Sequence, residues 1–281
     1  MTLSLWQKTL ATTQAALNSG ALQPISTTIE TVYEAPFSYQ LRTLSSLQSK
    51  ENDRRIKQAA NRSVNPFKPY DPELYVADIG AKHICLLNKF SVIDNHLLLV
   101  TRNFEPQTHL LTLSDFRAAL MALREIDGVV FYNGGRVAGA SQPHKHLQLI
   151  PVRPTDLPLS NTLNCFSAIP EPDAELPFRH ARVRLPDNIG DTQDTVQWLH
   201  NHYLILLQRL QIRHSTRQAK MAYNLLLCRE WLMLVPRSSE SFAGVSFNAL
   251  AFCGALLVKN QTQADALKAA GISQALGFVT Q

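Results

Sequence analysis

Hydrophobic residues recur along this chain with two different periods, one typical of helices and one typical of strands. Leu3, Trp6 and Leu10 have the spacing of one helical face, which predicts an amphipathic helix at the start of the chain. Similar spacing, together with capping residues, predicts three more helices. The first predicted helix ends near Gly20. The second runs from an N-cap at Ser114 to about Ile126, and the other two cover 196–210 and 263–276.

Shorter apolar or alternating segments bounded by turn-forming residues predict strands. These segments are 38–44, 83–88, 96–101, 129–132, 144–152, 180–185, 223–228 and 231–236. The short polar stretch 93–95 predicts a hairpin turn, whereas the breakers in 45–72 and 153–177 predict loops. Hairpin links outnumber helical crossovers, so we expect an α+β fold with a mainly antiparallel sheet. We divide the chain into an N-terminal part, 1–160, and a C-terminal part, 175–281, that completes the same fold and site.

Composition narrows the class of protein. The chain has 281 residues, 45% of them hydrophobic and 17% charged, as in an ordinary globular protein. A net charge of +5 suits a polyanionic ligand. The densest basic stretch, 50–62, also carries Glu51 and Asp53, so we do not expect a nucleic-acid partner.

The cysteines and the lengths of the apolar runs bear on the compartment. No two of the four cysteines have zinc-site or redox spacing, and three lie in apolar runs, which predicts buried thiols in a reducing compartment. No apolar run approaches the roughly 20 residues that span a bilayer, and the N-terminus lacks a signal-peptide core. We therefore expect a cytoplasmic protein with no membrane partner.

The segment 144–150, His-Lys-His-Leu-Gln-Leu-Ile, carries the candidate chemistry. In a strand, His144, His146 and Gln148 share one face, and Lys145 and the leucines share the other. Such a polar face suits a strand that lines a cleft. Two imidazoles at this spacing could bind zinc, could face solvent without a role, or could include a nucleophile toward phosphorus. The sequence offers no companion CxxC or HExxH motif, so we predict no metal site.

A glycine-rich stretch leads directly into this segment. Three of the eleven glycines lie in Asn-Gly-Gly-Arg-Val-Ala-Gly-Ala-Ser-Gln at 133–142. Glycine allows the backbone to approach a ligand closely, and successive N–H groups can then converge on phosphate oxygens. An ordinary turn would need a single glycine. The combination is therefore more specific than either motif alone and favours nucleotidyl transfer to a histidine.

This combination resembles the histidine-triad superfamily, in the branch where glutamine replaces the third histidine. Within it, the chain is most similar to the diadenosine tetraphosphate phosphorylases, also called ATP adenylyltransferases. Blocks with the family's pattern occur in the family's order at 41–50, 65–76, 86–101, 131–148, 223–238 and 246–259. The resemblance implies a histidine-triad-like fold and phosphorolysis of diadenosine tetraphosphate to ATP and ADP.

The resemblance also implies roles for individual residues. His146 matches the nucleophile that becomes adenylylated, His144 the motif histidine that holds the site together, and Gln148 the glutamine that contacts the transferred phosphate. Matches to substrate-binding residues are Asn133, Gly139, Ala140, Ser141 and Gln142 at the phosphates, Asn88 and Lys89 at the ribose, Lys50 and Lys259 near the polyphosphate, and Ser246 and Asn248 in a C-terminal patch.

The glutamine has a chemical meaning. A third histidine could serve as an acid or base toward water, whereas an amide does not titrate near neutral pH. With glutamine in place of that histidine, the phosphohistidine intermediate should persist until a better acceptor than water, such as inorganic phosphate, attacks it. We expect small-molecule substrates (dinucleoside polyphosphate, ATP, ADP and phosphate), no tightly bound cofactor, and magnesium accompanying the polyphosphate. The sequence implies no particular oligomeric state.

Two other functions stay open on the sequence alone. A hexose-1-phosphate nucleotidylyltransferase shares the His-x-His-x-Gln logic, but such relatives often add cysteine and histidine metal ligands, and no CxxC occurs here. A nucleotide-binding regulator without catalysis is the other alternative, against which the intact His146 and Gln148 argue.

Overall fold

The computed structural model describes residues 3–45, 65–163, 176–187, 190 and 192–281. The helices are α1 (Leu5–Ser19), α2 (Leu113–Glu125), α3 (Ser160–Leu163), α4 (Gln193–Arg209), α5 (Gln261–Ala270) and α6 (Ile272–Phe278). The first seven strands are β1 (Thr27–Glu34), β2 (Phe37–Leu44), β3 (Tyr75–Ile79), β4 (His83–Leu87), β5 (Leu97–Thr101), β6 (Val129–Gly134) and β7 (His146–Ile150). The remaining strands are β8 (Ala181–Arg184), β9 (Ala222–Leu227), β10 (Trp231–Arg237), β11 (Ser241–Phe242), β12 (Val245–Ser246) and β13 (Ala255–Val258).

An eight-stranded sheet organises the molecule. Its strand order is β3-β4-β5-β7-β6-β9-β10-β8, and every neighbouring pair is antiparallel. A smaller sheet has the order β1-β2-β13, with β2 and β13 parallel. The α+β class with a mainly antiparallel sheet is therefore confirmed. The large sheet combines strands from both parts of the chain, and β7 lies near its middle.

Alternation along the strands separates two layers of core. Leu147 and Leu149 of β7 belong to a core that buries α1, α2 and α4 against one face of the large sheet. On the opposite face, a second core joins β6, β9 and β10 to the small sheet and to α5 and α6. A third, small cluster on β4 and β5, consisting of Ile84, Leu86, Leu98 and Val100, lies beside Phe67. Strand β7 runs between the second and third clusters on that opposite face.

Several boundaries differ from the sequence predictions. Helix α2 begins at Leu113 after an N-cap at Thr112, so the prediction of Ser114 as N-cap is wrong. The Asp115 carboxylate accepts the Thr112 backbone N–H at 2.6 Å, which fixes the start two residues earlier. The C-terminal helix is two helices, because Gly271 interrupts it with a φ of +88°. The sequence analysis also missed β1, β3, β11, β12 and β13.

The described cysteines confirm a further expectation. Cys85, Cys228 and Cys253 are buried and free, as their apolar surroundings predicted. Burial raises the pKa of the Cys85 thiol to about 12. Within the described ranges, no helix has the length and apolar character needed to cross a membrane.

Candidate active site

Strand β7 begins at His146, and His144 lies two residues before it in an extended approach. Residue pairing places His146 opposite Val100, and Gln148 between Leu98 and Phe131. The Phe67 ring lies 5.7 Å from the His144 ring and 5.3 Å from the His146 ring, measured between centroids. Both imidazoles therefore lie beneath the same aromatic side chain.

The hydrogen bonds of His146 define its tautomer. Nδ1 of His146 lies 2.8 Å from the backbone oxygen of His144. Because a carbonyl oxygen only accepts, Nδ1 must carry the proton, and Nε2 of the neutral ring is left with its lone pair. That lone pair is what a nucleophile toward phosphorus requires.

His144 is held on both sides of its ring. Nε2 donates to the backbone oxygen of Thr101 at 2.8 Å, and the Asn103 oxygen lies 3.2 Å away. On the other side, Nδ1 accepts from Nδ2 of Asn65 at 2.9 Å. The ring is thus fully used in anchoring the strand approach, and its backbone oxygen orients His146. This arrangement suits the supporting role predicted for His144.

Burial distinguishes the site from the open cleft expected from the sequence. His146 is 4% exposed and His144 is 1% exposed. The pattern of polar residues identified the correct face of the strand. It did not show that Asn65 and Phe67 bury this face, because these two residues come from a distant part of the chain. Burial lowers the pKa of His146 to about 4, so the ring is neutral at physiological pH. Burial also lowers the pKa of His144.

A third histidine, which the sequence analysis did not single out, lies next to Gln148. His96 precedes β5 and is 7% exposed. Its Nδ1 accepts from Nδ2 of Asn88 at 3.2 Å. Burial lowers its pKa to about 4, and the neighbouring Gln148 side chain opposes that shift. Asn88, His96 and Gln148 thus form a polar row across three neighbouring strands.

Asn133 is fixed by the C-terminal part of the chain. Its Oδ1 accepts from Nδ2 of Asn224 at 2.8 Å and from the Ala249 backbone N–H at 3.0 Å. The Asn224 Oδ1 in turn accepts from the guanidinium of Arg237, which is 2% exposed. Because two donors already occupy Oδ1, the N–H groups are the part of this amide that is left to bond to a ligand. The site is therefore built from both parts of the chain.

The glycine-rich loop meets the C-terminal patch at Gly139. This residue has a φ of +89°, and a Cβ there would lie 2.6 Å from the Phe247 backbone oxygen and 2.9 Å from Cα of Asn248. Only glycine permits that approach together with the left-handed backbone. Asn248 itself caps a short 3-10 helix, since its Oδ1 accepts the Leu250 N–H at 3.0 Å. The two predicted segments are therefore neighbours.

The opposite face of β7 carries an ion pair that the sequence pattern did not indicate. Lys145 is fully buried, with its Nζ 2.6 Å from Asp115, 3.3 Å from Glu105 and 2.9 Å from the Leu110 oxygen. Asp115 also contacts Nε2 of His83 at 2.8 Å. These partners lower the pKa of the Asp115 carboxyl well below its usual range, against the opposing effect of burial. Lys145 therefore anchors the chain between the two motif histidines.

The remaining predicted residues lie on several other elements of the fold. Ser141 is exposed and Ala140 and Gln142 are half-buried, in the loop that enters β7. Lys89 follows β4 and faces Asp71 at 3.6 Å. Ser246 is exposed on β12, and Lys259 is exposed beyond β13, on the smaller sheet. Lys50 lies outside the described residues.

Sequence reasoning missed the residues that hold the site from outside the motif, among them Asn65, Phe67, His96, Thr101, Gln107, Asn224 and Arg237. Most of these are ordinary polar residues with no motif spacing. His96 carried a weak signal, because it is a histidine at the edge of an otherwise apolar strand.

Comparisons with known proteins cover nearly the whole chain. The family model described as the Ap4A phosphorylase N-terminal domain matches residues 2–165. The model described as the ATP adenylyltransferase C-terminal domain matches residues 174–280.

Two relatives from Saccharomyces cerevisiae are similar in sequence. Diadenosine 5',5'''-P1,P4-tetraphosphate phosphorylase 2 is 30% identical over 241 residues, covering 75% of this chain and 74% of the relative. Protein APA1 is 32% identical over 212 residues, covering 67% of this chain and 65% of the relative.

Solved structures of yeast Ap4A phosphorylase Apa2 share the fold. The complex with AMP superposes with a TM-score of 0.81 at 27% identity, covering 100% of this chain and 99% of the other. The complex with Ap4A gives a TM-score of 0.80 at 27% identity, with both chains fully covered.

Proposed function

The chain belongs to the family of the Ap4A phosphorylases, or ATP adenylyltransferases, and we propose that His146 carries the adenylyl group in its reaction. The reaction is phosphorolysis of diadenosine tetraphosphate to ATP and ADP, together with its reverse. The single observation that carries the proposed mechanism is the tautomer of His146. Its Nδ1 proton is committed to the His144 oxygen at 2.8 Å, which leaves Nε2 as the nucleophile.

In the first step, Nε2 of His146 attacks the phosphorus that bears one adenosine. The new N–P bond forms as the bond between that phosphorus and the bridging oxygen breaks, and ATP leaves. Covalent catalysis divides one difficult displacement into two easier ones. The ring needs no base to activate it, because burial already keeps it neutral. The His144 oxygen then stabilises the positive charge that develops on the ring.

In the second step, inorganic phosphate attacks the same phosphorus from the side that ATP has left. The P–O bond forms, the N–P bond breaks, and the product is ADP. Gln148 lies on the same strand face as His146 and cannot act as a general base. Water is therefore a poor acceptor, and transfer to phosphate prevails over hydrolysis.

Negative charge on the phosphoryl oxygens requires donors on the sheet face. The N–H groups of Asn133 and Gln148 and the backbone of the loop ending at Ser141 are the proposed donors. Asn88 and Lys89 are proposed to meet the ribose, and Lys259 and Lys50 the distal phosphates. Gly139 and Asn248 are proposed to shape the loop where it meets the substrate.

A divalent cation is proposed to arrive with the polyphosphate. Among the described residues, no group of three or more histidine, cysteine, aspartate or glutamate side chains could hold a metal ion. Magnesium prefers phosphate oxygens and water, so it belongs to the substrate, and no step above depends on it.

The experiment is a pair of incubations with Ap4A, one without and one with inorganic phosphate. Without phosphate, the intact protein should gain the mass of one adenylyl group and release ATP. With phosphate, ATP and ADP should accumulate in equal amounts and the protein should return to its unmodified mass. His146→Ala should gain no mass in either case.

The same products separate the alternatives. A hexose-1-phosphate nucleotidylyltransferase would keep its adenylyl group when phosphate is present and would lose it only to an added sugar phosphate. A regulator without catalysis would bind Ap4A and leave it intact. A His146→Ala variant that still gained mass would show that another residue is the nucleophile.

A cytoplasmic location also stays a prediction.

A further inference from the structure

The pairing between β6 and β7 stops two residue pairs before the nucleophile. Val129 pairs with Ile150, and Phe131 pairs with Gln148. The same antiparallel register would pair Asn133 with His146. The described ladder includes neither that pair nor the intervening pair of Tyr132 and Leu147, although all four residues lie in the two strands.

The side-chain amide of Gln107 occupies the missing rung. Its Oε1 accepts the backbone N–H of His146 at 2.8 Å. Its Nε2 donates to the backbone oxygen of Asn133 at 2.9 Å and lies 3.2 Å from the backbone oxygen of His146. One amide thus takes the place of the direct bond between the two strands and uses its acceptor and its donor at once.

The amide is held rigidly. Gln107 is 3% exposed. Its backbone N–H donates to the Pro143 oxygen at 2.8 Å, and its backbone oxygen accepts from the Tyr132 hydroxyl. The preceding Glu105 oxygen accepts the Lys145 N–H at 2.7 Å. Segment 105–107 therefore replaces β6 as the partner of the chain that leads into β7.

This insertion determines the space between two side chains on the reactive face. His146 and Asn133 point to the same face, since they continue the alternation of Gln148 and Phe131. Directly paired residues would stand about 5 Å apart at Cα. An intervening amide with a hydrogen bond at each end holds the strands farther apart than that. The added width opens between the nucleophile and the Asn133 amide, where the phosphoryl oxygens must fit.

We propose that Gln107 is a positioning residue that sets the separation of His146 and Asn133, and through it the geometry of adenylyl transfer. This inference rests on the proposed function of His146. Gln107 does not touch the substrate. Its loss should therefore slow formation of the adenylyl-enzyme while leaving the affinity for the nucleotide nearly unchanged.

The test uses Gln107→Met and Gln107→Glu in the full chain. The methionine fills similar space without an amide, so it separates hydrogen bonding from packing. The glutamate has the shape of glutamine, but as a carboxylate it only accepts and would face two carbonyl oxygens. As a neutral acid, it regains one donor and one acceptor. Burial and the two oxygens should raise its pKa, so neutralisation should occur within reach of a mildly acidic buffer.

The measurement is the single-turnover rate of adenylylation, without phosphate, as a function of Ap4A concentration and pH. Rates are normalised to the folded fraction from near-ultraviolet circular dichroism. We expect Gln107→Met to be about 100-fold slower at every pH, the scale of an ångström-level misplacement of reacting groups, with an unchanged half-saturating concentration. Gln107→Glu should be equally slow above neutral pH and should recover toward the wild-type rate as the pH falls. Gln197→Glu, an exposed glutamine on α4, should match the wild type throughout.

Each outcome either supports or overturns the positioning role of Gln107. Recovery at low pH in Gln107→Glu but not in Gln107→Met supports positioning by the amide. Wild-type rates in either variant at high pH, or a Gln107→Glu rate that never rises above that of Gln107→Met, would overturn it. An effect confined to the half-saturating concentration would overturn it as well. A wild-type enzyme that acquires no adenylyl group would overturn both this inference and the proposed function, whereas variants equal to an active wild type overturn this inference alone.

Discussion

The backbone oxygen of His144 accepts a hydrogen bond from Nδ1 of His146 at 2.8 Å. The first motif histidine therefore orients the second through its main chain rather than through its ring. The ring of His144 is committed elsewhere, to Thr101 and Asn65. The two histidines of the motif thus have separable roles, one in bonding to phosphorus and one in holding the strand.

The two roles predict unequal effects of substitution. His146→Ala should abolish the adenylyl-enzyme, because no Nε2 remains. His144→Ala keeps the backbone oxygen but loses the ring that fixes it, so adenylylation should slow by about 10- to 100-fold, as for other supporting contacts. Stopped incubations analysed by intact mass would measure both. Equal and complete loss in two folded variants would contradict the division of roles.

Gln148→His should change the partition between acceptors. An imidazole at this position would lie on the face of His146 and could act as a base toward water. The adenylyl-enzyme should then yield AMP alongside ADP even when phosphate is present. The AMP-to-ADP ratio at fixed phosphate is the measurement. A flat ratio with a lower overall rate would mean that Gln148 chiefly positions the phosphoryl oxygens.

The buried histidines should make the free energy of unfolding depend on pH. Burial lowers the pKa of His146 and of His96 to about 4 in the folded protein, whereas an unfolded histidine titrates near 6.5. Below about pH 6.5 these histidines bind protons in the unfolded chain but not in the folded protein. Their full contribution to the free energy of unfolding is therefore present only above that pH. It should fall by up to ~1.4 kcal/mol per pH unit per histidine between about pH 6.5 and 4.

Urea unfolding across that pH range would measure the effect, with His96→Gln and His146→Gln as references. Each substitution should make the pH dependence shallower. A slope identical to that of the wild type in both variants would mean that these rings titrate normally in the folded protein.

Lys145→Met should be strongly destabilising, because it leaves the buried Asp115 carboxylate without its closest cation, 2.6 Å away. Breaking a buried pair from one side costs about 3–5 kcal/mol. Lys145→Met combined with Asp115→Asn should regain part of that loss, since the buried charge is gone. Urea denaturation would measure the free energy of unfolding of these two variants and of the control Lys268→Met. Lys268→Met, which breaks the more exposed pair with Glu30, should cost much less, and equal costs would contradict this account.

Gly139→Ala should perturb both stability and turnover. The new Cβ would lie 2.6 Å from the Phe247 oxygen, so residues 247–248 must move. Gly80→Ala is the matched control, because its φ is also positive (+61°) but its nearest neighbour is the Met121 sulfur at 3.8 Å. Both changes carry the ~1–2 kcal/mol strain of a left-handed alanine. Only Gly139→Ala should lower kcat for phosphorolysis, and equal kcat in the two variants would contradict a role for the close approach.

The sequence by itself determined the elements with strong periodicity and the face on which the chemistry lies. Alternation in 144–150 placed His146 and Gln148 on one side of a strand and the leucines on the other, because side chains of a strand point to alternate faces. The glycine cluster before it marked a close backbone approach, which Gly139 makes to Phe247. Where local pattern was weak, strands were missed: β1 is largely exposed and lacks a clear apolar face, and β13 pairs with β2, which is distant in the chain.

Only the tertiary structure decided how the nucleophile is prepared. The tautomer of His146 depends on where the backbone oxygen of His144 points, and its neutrality depends on burial beneath Phe67. The width of the site depends on Gln107, whose amide enters between two strands from 39 residues away. Alternation placed Lys145 on the leucine face, but it did not indicate that Lys145 is buried against Asp115. Apart from the bond between His146 and His144, these features are contacts between residues far apart in the chain, and residue spacing carries no information about such contacts until the chain has folded.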